Sequence, residues 1–565
     1  MKNFRIFVKL FSALFLIPLH GAVNPLQQEI DAAVKRGDAE IHLSRKEYRL
    51  ETPVLLHNLR SRIIDGHGAR IVMTRLNRAF LIHGSRDLTL RNFSIDYDPL
   101  PYTQGRVTLV EKNRLEFLID AGYPTAEIGR YTFNAHAFTP DGRHWKKYQP
   151  DIYAKPEPSG GGKMRLDLIP GMSELTDVQV GDRIALTRHP ADIAAVDMRE
   201  TGRIAFENIT VFASPGCVFR GYHCDGDDRY ENVKILRGQL PRGATEQRLL
   251  SANHDAIHYG YCRKGPRILS CEFSYMGDDG LNLHGNTSVL AEVTGRYTFN
   301  QLLGSKTEKS DLLSRLRAGD KIRILDKDNF RILGEYTFRS YRRIDRLYPK
   351  ELRDRFFPHL RKKSADVQTT MEITVNEPLT GIEGDARWDS PAVCCNGYEI
   401  RDSYYHDHRA RGLRVMASNG LIENCCFERI KGAAISIGAE YAFWGEAGWV
   451  DNVTVRNCKI REVGYGSSGS AAMAARSYVP GAISIFVQLS SYRNVFPGHR
   501  NIILEGNTIE GTPFAGIFLN AARGVKLSGN SLTRVSECSF PAGKKWNFTN
   551  PAPIWIMNST EVVLP

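Results

Sequence analysis

The chain has 565 residues, 42% hydrophobic and 24% charged, so it can bury a large core and falls outside the disordered and fibrous classes. Its formal net charge of +12 and isoelectric point of about 9.1 leave open an acidic partner, either nucleic acid or an anionic polysaccharide.

Residues 1–22 read as a secretory signal: Lys2, Arg5 and Lys9 precede "LFSALFLIPL", which ends in the small residues Gly21 and Ala22. A periplasmic or secreted protein is expected, and export argues against nucleic acid as a partner. No cysteine follows to carry a lipid anchor, and no other run reaches the roughly 20 apolar residues of a membrane helix, so no membrane insertion is expected. Residues 23–100 then read as an N-terminal cap and the first coils of a solenoid. "NPLQQEIDAAVKRGD" has the helical spacing to cover the exposed end of the first coil, and "AEIHLSRKEYRL" and "SRIIDGHGARIVM" continue as strands and turns.

A repeat organises most of the remaining chain. "NFSI" (92–95), "NITV" (208–211), "SCEF" (270–273), "NCCF" (424–427), "NCKI" (457–460), "GNTI" (506–509) and "GNSL" (529–532) each join turn-forming residues to an apolar fourth position, and most come after an alternating run such as "NVTVR". A further strand lies eight residues on, as from Phe273 to Leu281, Tyr405 to Leu413, Phe427 to Ile435 and Ile509 to Ile517. Short alternating strands recurring about every 22 to 24 residues, without helices between them, predict an all-β chain folded as a right-handed parallel β-helix. Cys271, Cys425 and Cys458 share one repeat position with Asn507 and Asn530, which predicts an inward ladder of small side chains rather than disulfides. The vicinal pairs Cys394/Cys395 and Cys425/Cys426 lack zinc spacing.

Two stretches interrupt the rhythm, residues 101–190 and 286–393, and they share the phrases "VQVGDRIALT" and "LRAGDKIRIL". They predict two small β-barrel-like domains inserted into the solenoid, which resumes over 191–285 and 394–565. Insertions on one face of a solenoid often frame its binding site.

The repeat also aligns the candidate chemistry. Asp255, Asp279, Arg411, Ala433 and Ala515 form one row, and His254, Asp278, Ala410, Gly432 and Phe514 the next. Asp255 and Asp279, one coil apart, are expected roughly 4.7–4.9 Å from each other along the backbone, close enough that joint ionisation is penalised. With Asp278 adjacent and His254, His258 and His284 nearby as candidates for binding the substrate, the cluster contains the acid and base that hydrolysis needs. The bland alternative makes "GDDG" an Asx turn. Arg411 is placed to orient Asp279, to bind a hydroxyl or to form a structural salt bridge. Glu440, Trp444 and Glu446 in "EYAFWGEAGW" are candidates for gripping and stacking on a sugar, with loop-core burial the alternative for the tryptophan. His406, His408 and Arg409 read equally well as a solvated turn.

"NHDAIHYG", "MGDDGLNLHGN", "RARGLRV" and "GAEYAFWGEAGW", set in such a fold, resemble glycoside hydrolase family 110, the exo-acting α-1,3-galactosidases that remove terminal galactose from blood-group-B-type glycans. The resemblance implies inverting hydrolysis by Asp255, Asp278 and Asp279, with no cofactor and no metal, a glycan substrate and a possible homodimer. Asp278 is then assigned as the acid, and Asp255 with Asp279 as the pair that holds and deprotonates water. An inverting acid and base are expected about 6.5–9.5 Å apart. The alternatives are a family 28 polygalacturonase, whose Asn-x-Asp and Asp-Asp outline is met by Asn253, Asp255, Asp278 and Asp279 but whose separate Gly-His-Gly segment is missing, a calcium-dependent lyase, and a non-catalytic glycan-binding β-helix.

Overall fold

The computed structural model describes residues 24–125, 131–188, 193–302, 315–344, 346, 348, 351, 370–441, 445–466, 481–489, 494–536 and 552–564. The expected signal lies outside the described residues. The helix Pro25–Arg36 opens the fold: the Asn24 side chain accepts from the Gln27 N–H, and Gly37 ends it at φ 86°. Leu26, Ile30 and Ala33 are buried as the helix covers the first coil.

The chain then winds as a right-handed parallel β-helix with three short strands in each coil. Gly420–Glu423, Cys426–Glu428 and Ile435–Ile437 make up one coil. Each pairs in parallel with its counterpart on the next coil, Gly420 with Val453, Cys426 with Lys459 and Ile435 with Ile483. Inward positions stack in register, so Phe273, Tyr405, Phe427, Ile460 and Ile509 form one buried column.

The repeated phrases begin at the bend between the first two strands, and the reason is conformational. Asn92, Asn208, Ser270, Asn424, Asn457, Gly506 and Gly529 all have φ between 53° and 63° there. Asn and Gly tolerate that left-handed region at least cost, which explains their recurrence. The next residue turns inward. Cys271, Cys425, Cys458 and Asn507 are buried, and the Asn507 side-chain oxygen accepts from the Cys458 N–H at 3.0 Å. All nine described cysteines are free thiols, so the ladder of small side chains is what the structure contains.

Two closed six-stranded barrels interrupt the coils. The first runs from Tyr102–Glu111 to Arg183–Arg188 and the second from Ser288–Gly295 to Ala386–Asp389. Their shared phrase builds the same turn twice. Gly181 and Gly319 both sit at φ 98°, and the following Asp182 and Asp320 carboxylates accept backbone N–H groups from Gln179 and Arg317. Each barrel has its own apolar core. The first is fastened to the coils through Trp145, whose Nε1 donates to the Asp407 carbonyl at 2.7 Å. In the second, the Phe330 carbonyl accepts from Trp449 Nε1 at 2.9 Å.

Candidate active site

The third strands set the register of the site. Phe219, Ile257, Leu281, Leu413, Ile435, Ile483 and Ile517 are successive partners. Two residues before each lies one row: Cys217, Asp255, Asp279, Arg411, Ala433, Gly481 and Ala515. Cys217 and Gly481 extend the row that spacing alone aligned. Asp255, Asp278 and Asp279 each bring a carboxylate oxygen within 4.8 Å of the other two.

Their surroundings then separate them. The Asp279 side chain is 2% exposed. Arg411 clamps it: Nε donates to Oδ1 at 2.8 Å, Nη2 to Oδ2 at 2.7 Å, and the Arg411 backbone N–H to Oδ1 at 2.8 Å. Burial pushes the Asp279 pKa up, but the charge and hydrogen bonds of Arg411 outweigh it and hold the carboxyl below its usual range. Asp255 is held differently. Its Oδ1 accepts the Asp279 N–H at 3.1 Å, and Oδ2 lies 2.6 Å from His258 Nδ1. Burial first, and the Asp279 charge second, raise Asp255 to about 8.

Asp278 is the open member of the set, with 33% of its side chain exposed against 8% for Asp255. It is the acid that an incoming molecule meets. Partial burial and the charges of Asp255 and Asp279 raise it to about 7, against the opposing pull of Arg409, whose Nη2 lies 3.6 Å away. Arg409 also reaches Asp151, on the first barrel, at 3.3 Å, and Tyr153 of the same barrel lies 3.3 Å from Asp151. The barrel thus supplies a wall of the site.

The separation of the acids departs from expectation. Oxygens within 4.8 Å lie closer than the 6.5–9.5 Å of a spaced inverting pair, because neighbouring coils stack at strand distance and "GDDG" turns Asp278 back toward the row. The solvated-turn reading of His406, His408 and Arg409 is also corrected: His408 is fully buried, and Arg409 faces two carboxylates.

The remaining candidates fall into two groups. Glu440 and Glu446 flank Arg414: Nη2 lies 2.9 Å from Glu440 and 2.7 Å from Glu446, while Arg411 Nη1 donates to Glu440 at 3.3 Å. Burial raises Glu446, but Arg414 outweighs it and keeps the carboxylate ionised. Trp444 lies outside the described residues. Asn282, between His258 and Arg414 in register, is 3% exposed, and its Oδ1 has no hydrogen-bond partner among the described residues. Neither Asn282 nor Arg414 stood out in the sequence, although they occupy matching positions on the third strands that follow Asp279 and Arg411.

His258 and His284 are arranged differently from sugar-gripping side chains. His258 Nε2 lies 3.0 Å from His284 Nε2 and 3.3 Å from the Tyr222 hydroxyl, and His284 Nδ1 lies 2.7 Å from the Gly285 carbonyl. Their ring nitrogens face Asp255, each other and the backbone. His254 is half-buried on the turn before Asp255.

The acids have the spacing to hold a cation, as do Cys217, Asp255 and His258. The donor chemistry points elsewhere. Arg411 takes both oxygens of Asp279, Arg409 faces Asp278, His258 takes an oxygen of Asp255, and burial keeps the Cys217 thiol protonated.

A family model described as "Right handed beta helix region" matches residues 389–532. Over 510 residues the chain is 24% identical to a protein of Bacteroides thetaiotaomicron named alpha-1,3-galactosidase B, covering 85% of this chain and 75% of that one. It is 23% identical over 525 residues to one of Shewanella woodyi named alpha-1,3-galactosidase A, covering 90% and 78%. Among solved structures it is similar to a family 28 exopolygalacturonase of Yersinia enterocolitica at 10% identity and a TM-score of 0.39, covering 96% of this chain and 77% of that one.

Proposed function

We propose that the protein is an exported, exo-acting α-galactosidase of the glycoside hydrolase family 110 type, which removes terminal α-1,3-linked galactose. The observation that carries the reading is the division of three converging aspartates into one held ionised by Arg411 and two raised to about 8 and about 7. Two carboxyl groups raised into the neutral range beside one held ionised can supply both a proton donor and a proton acceptor near neutral pH. Likeness to proteins named alpha-1,3-galactosidase over most of the chain supports the substrate class.

In this mechanism Asp278, the exposed acid, protonates the departing glycosidic oxygen while Asp255 takes a proton from the attacking water. Asp279 and Arg411 hold the row in place. The Asp279 N–H supports Asp255, and the Asp279 charge opposes loss of the proton from its neighbours. Glu440, Glu446, Arg414 and Asn282 supply donors and acceptors for the sugar hydroxyls. Inversion is the stereochemical reading. It rests on the resemblance to family 110 and on Asp279, whose two oxygens are committed to Arg411 and so do not stand ready as a nucleophile.

Proton NMR of the reaction with galactose-α-1,3-galactose and with the blood group B trisaccharide, both with chelator present, tests this reading. Galactose released first as the β-anomer is the expected result. The α-anomer first would replace inversion by retention, and release of uronic acid from polygalacturonan, with no galactose from either glycan, would overturn the substrate.

A further inference from the structure

We propose that His258 and His284 are positioning residues that form a one-directional proton chain behind Asp255 and set the charge of the hydrolytic base. The inference rests on the hydrolytic role proposed for Asp255. Its direction is established at the far end. The Gly285 carbonyl can only accept, so His284 Nδ1, 2.7 Å away, carries the hydrogen, and in a neutral ring Nε2 is bare. His258 Nε2, 3.0 Å from that bare nitrogen, is therefore the donor. The Tyr222 oxygen, 3.3 Å from the same N–H, accepts a share of it. His258 Nδ1 then has no hydrogen of its own, yet it lies 2.6 Å from Asp255 Oδ2. Two bare acceptors repel at that distance, so one proton lies between them.

Where that proton sits decides whether Asp255 is a base. On Nδ1 it leaves Asp255 a carboxylate beside an imidazolium, and on Oδ2 it silences the acid. Burial holds the His258 imidazole below its ordinary range; Arg220 and Arg414 add to that, while Glu446 and Asp279 oppose it without restoring the usual value. Glu446 favours and Arg414 disfavours a charged His284, which burial keeps neutral at neutral pH. In the reaction a bond forms between water oxygen and C1 as the glycosidic C1–O bond breaks. The water proton passes to Asp255, and the Asp278 proton goes to the departing oxygen. The Asp255–His258 pair then returns one proton to solvent, and Asp278 takes one up.

The test has two arms. Nitrogen-15 NMR of histidine-labelled enzyme reports the ring tautomers without any substrate: His284 is expected to stay Nδ1–H, and His258 Nε2–H in its neutral form. A neutral His284 with hydrogen on Nε2 would overturn the direction of the chain. In the second arm His258→Ala is expected to lose on the order of 10²-fold in kcat with KM within about twofold, as for a displaced acid–base group. Its pH profile should move to higher pH, and added imidazole should restore part of the rate. A raised KM with unchanged kcat, or no imidazole rescue with the pH profile unmoved, would assign His258 to sugar binding or to packing. If the alanine variant does not fold, His258→Gln takes its place, with the same shift expected and an unmoved profile overturning the chain. A wild-type enzyme inactive on all α-galactosides would refute the proposed function while leaving the tautomer arm to judge the chain.

Discussion

Arg411→Leu removes two side-chain hydrogen bonds, at 2.8 and 2.7 Å, from a carboxylate that is 2% exposed, and leaves only the backbone N–H of residue 411 to support it. A buried charge stripped of its partner costs about 3–5 kcal/mol, far more than the pair contributes relative to an apolar replacement. The loss has a sign in pH. In the wild type the Asp279 pKa is held below its unfolded value, so its contribution is present above that value and fades as pH falls through the folded one. Without Arg411, burial and the neighbouring Asp255 and Asp278 push Asp279 above its unfolded value. The variant's contribution is then present at low pH and lost as pH rises. Urea unfolding of both proteins at about pH 4 and pH 7 is expected to give a deficit that widens with pH, and Arg411→Leu with Asp279→Asn is expected to recover most of it. A deficit under about 1 kcal/mol at both pH values, or strictly additive single losses, would refute the clamp.

The same geometry sets three further outcomes. Because Asp255 and Asp278 titrate near 8 and 7 as one coupled set, kcat/KM should trace a narrow bell centred between those values; a flat profile from pH 5 to 9 would count against the pair. Arg409 holds Asp278 down, so Arg409→Gln should move the bell to higher pH, measurable in the same assay. In the ladder, Asn507→Ala strands the Cys458 N–H and is expected to cost about 1–3 kcal/mol in urea unfolding with little effect on kcat.

The row of Asp255, Asp279 and Arg411 was legible because a coil repeats its register: counting residues from the apolar partner of each third strand is equivalent to measuring across strands. Arg409 read equally well as part of a solvated turn because its neighbour "HDH" is polar, and only the barrel carrying Asp151 and Trp145 turns that segment into a buried wall. Asn282 and Arg414 were missed for another reason. Outward positions of a solenoid strand are ordinarily solvated, and nothing local marks these two as buried, or Arg414 as held between Glu440 and Glu446.

By itself the sequence determined the coil, its bends and the identity of the stacked acids. These depend on period-two burial, on the left-handed tolerance of Asn and Gly, and on spacing within about one repeat. Only the tertiary structure decided how those acids differ. Arg411 stands 132 residues from Asp279 and Arg409 131 from Asp278, while Asp151 stands 127 from Asp278 on an inserted barrel. Protonation depends on charge and burial over a few ångströms, and groups so distant along the chain reach those few ångströms only after the coils have stacked and the barrel has docked against them.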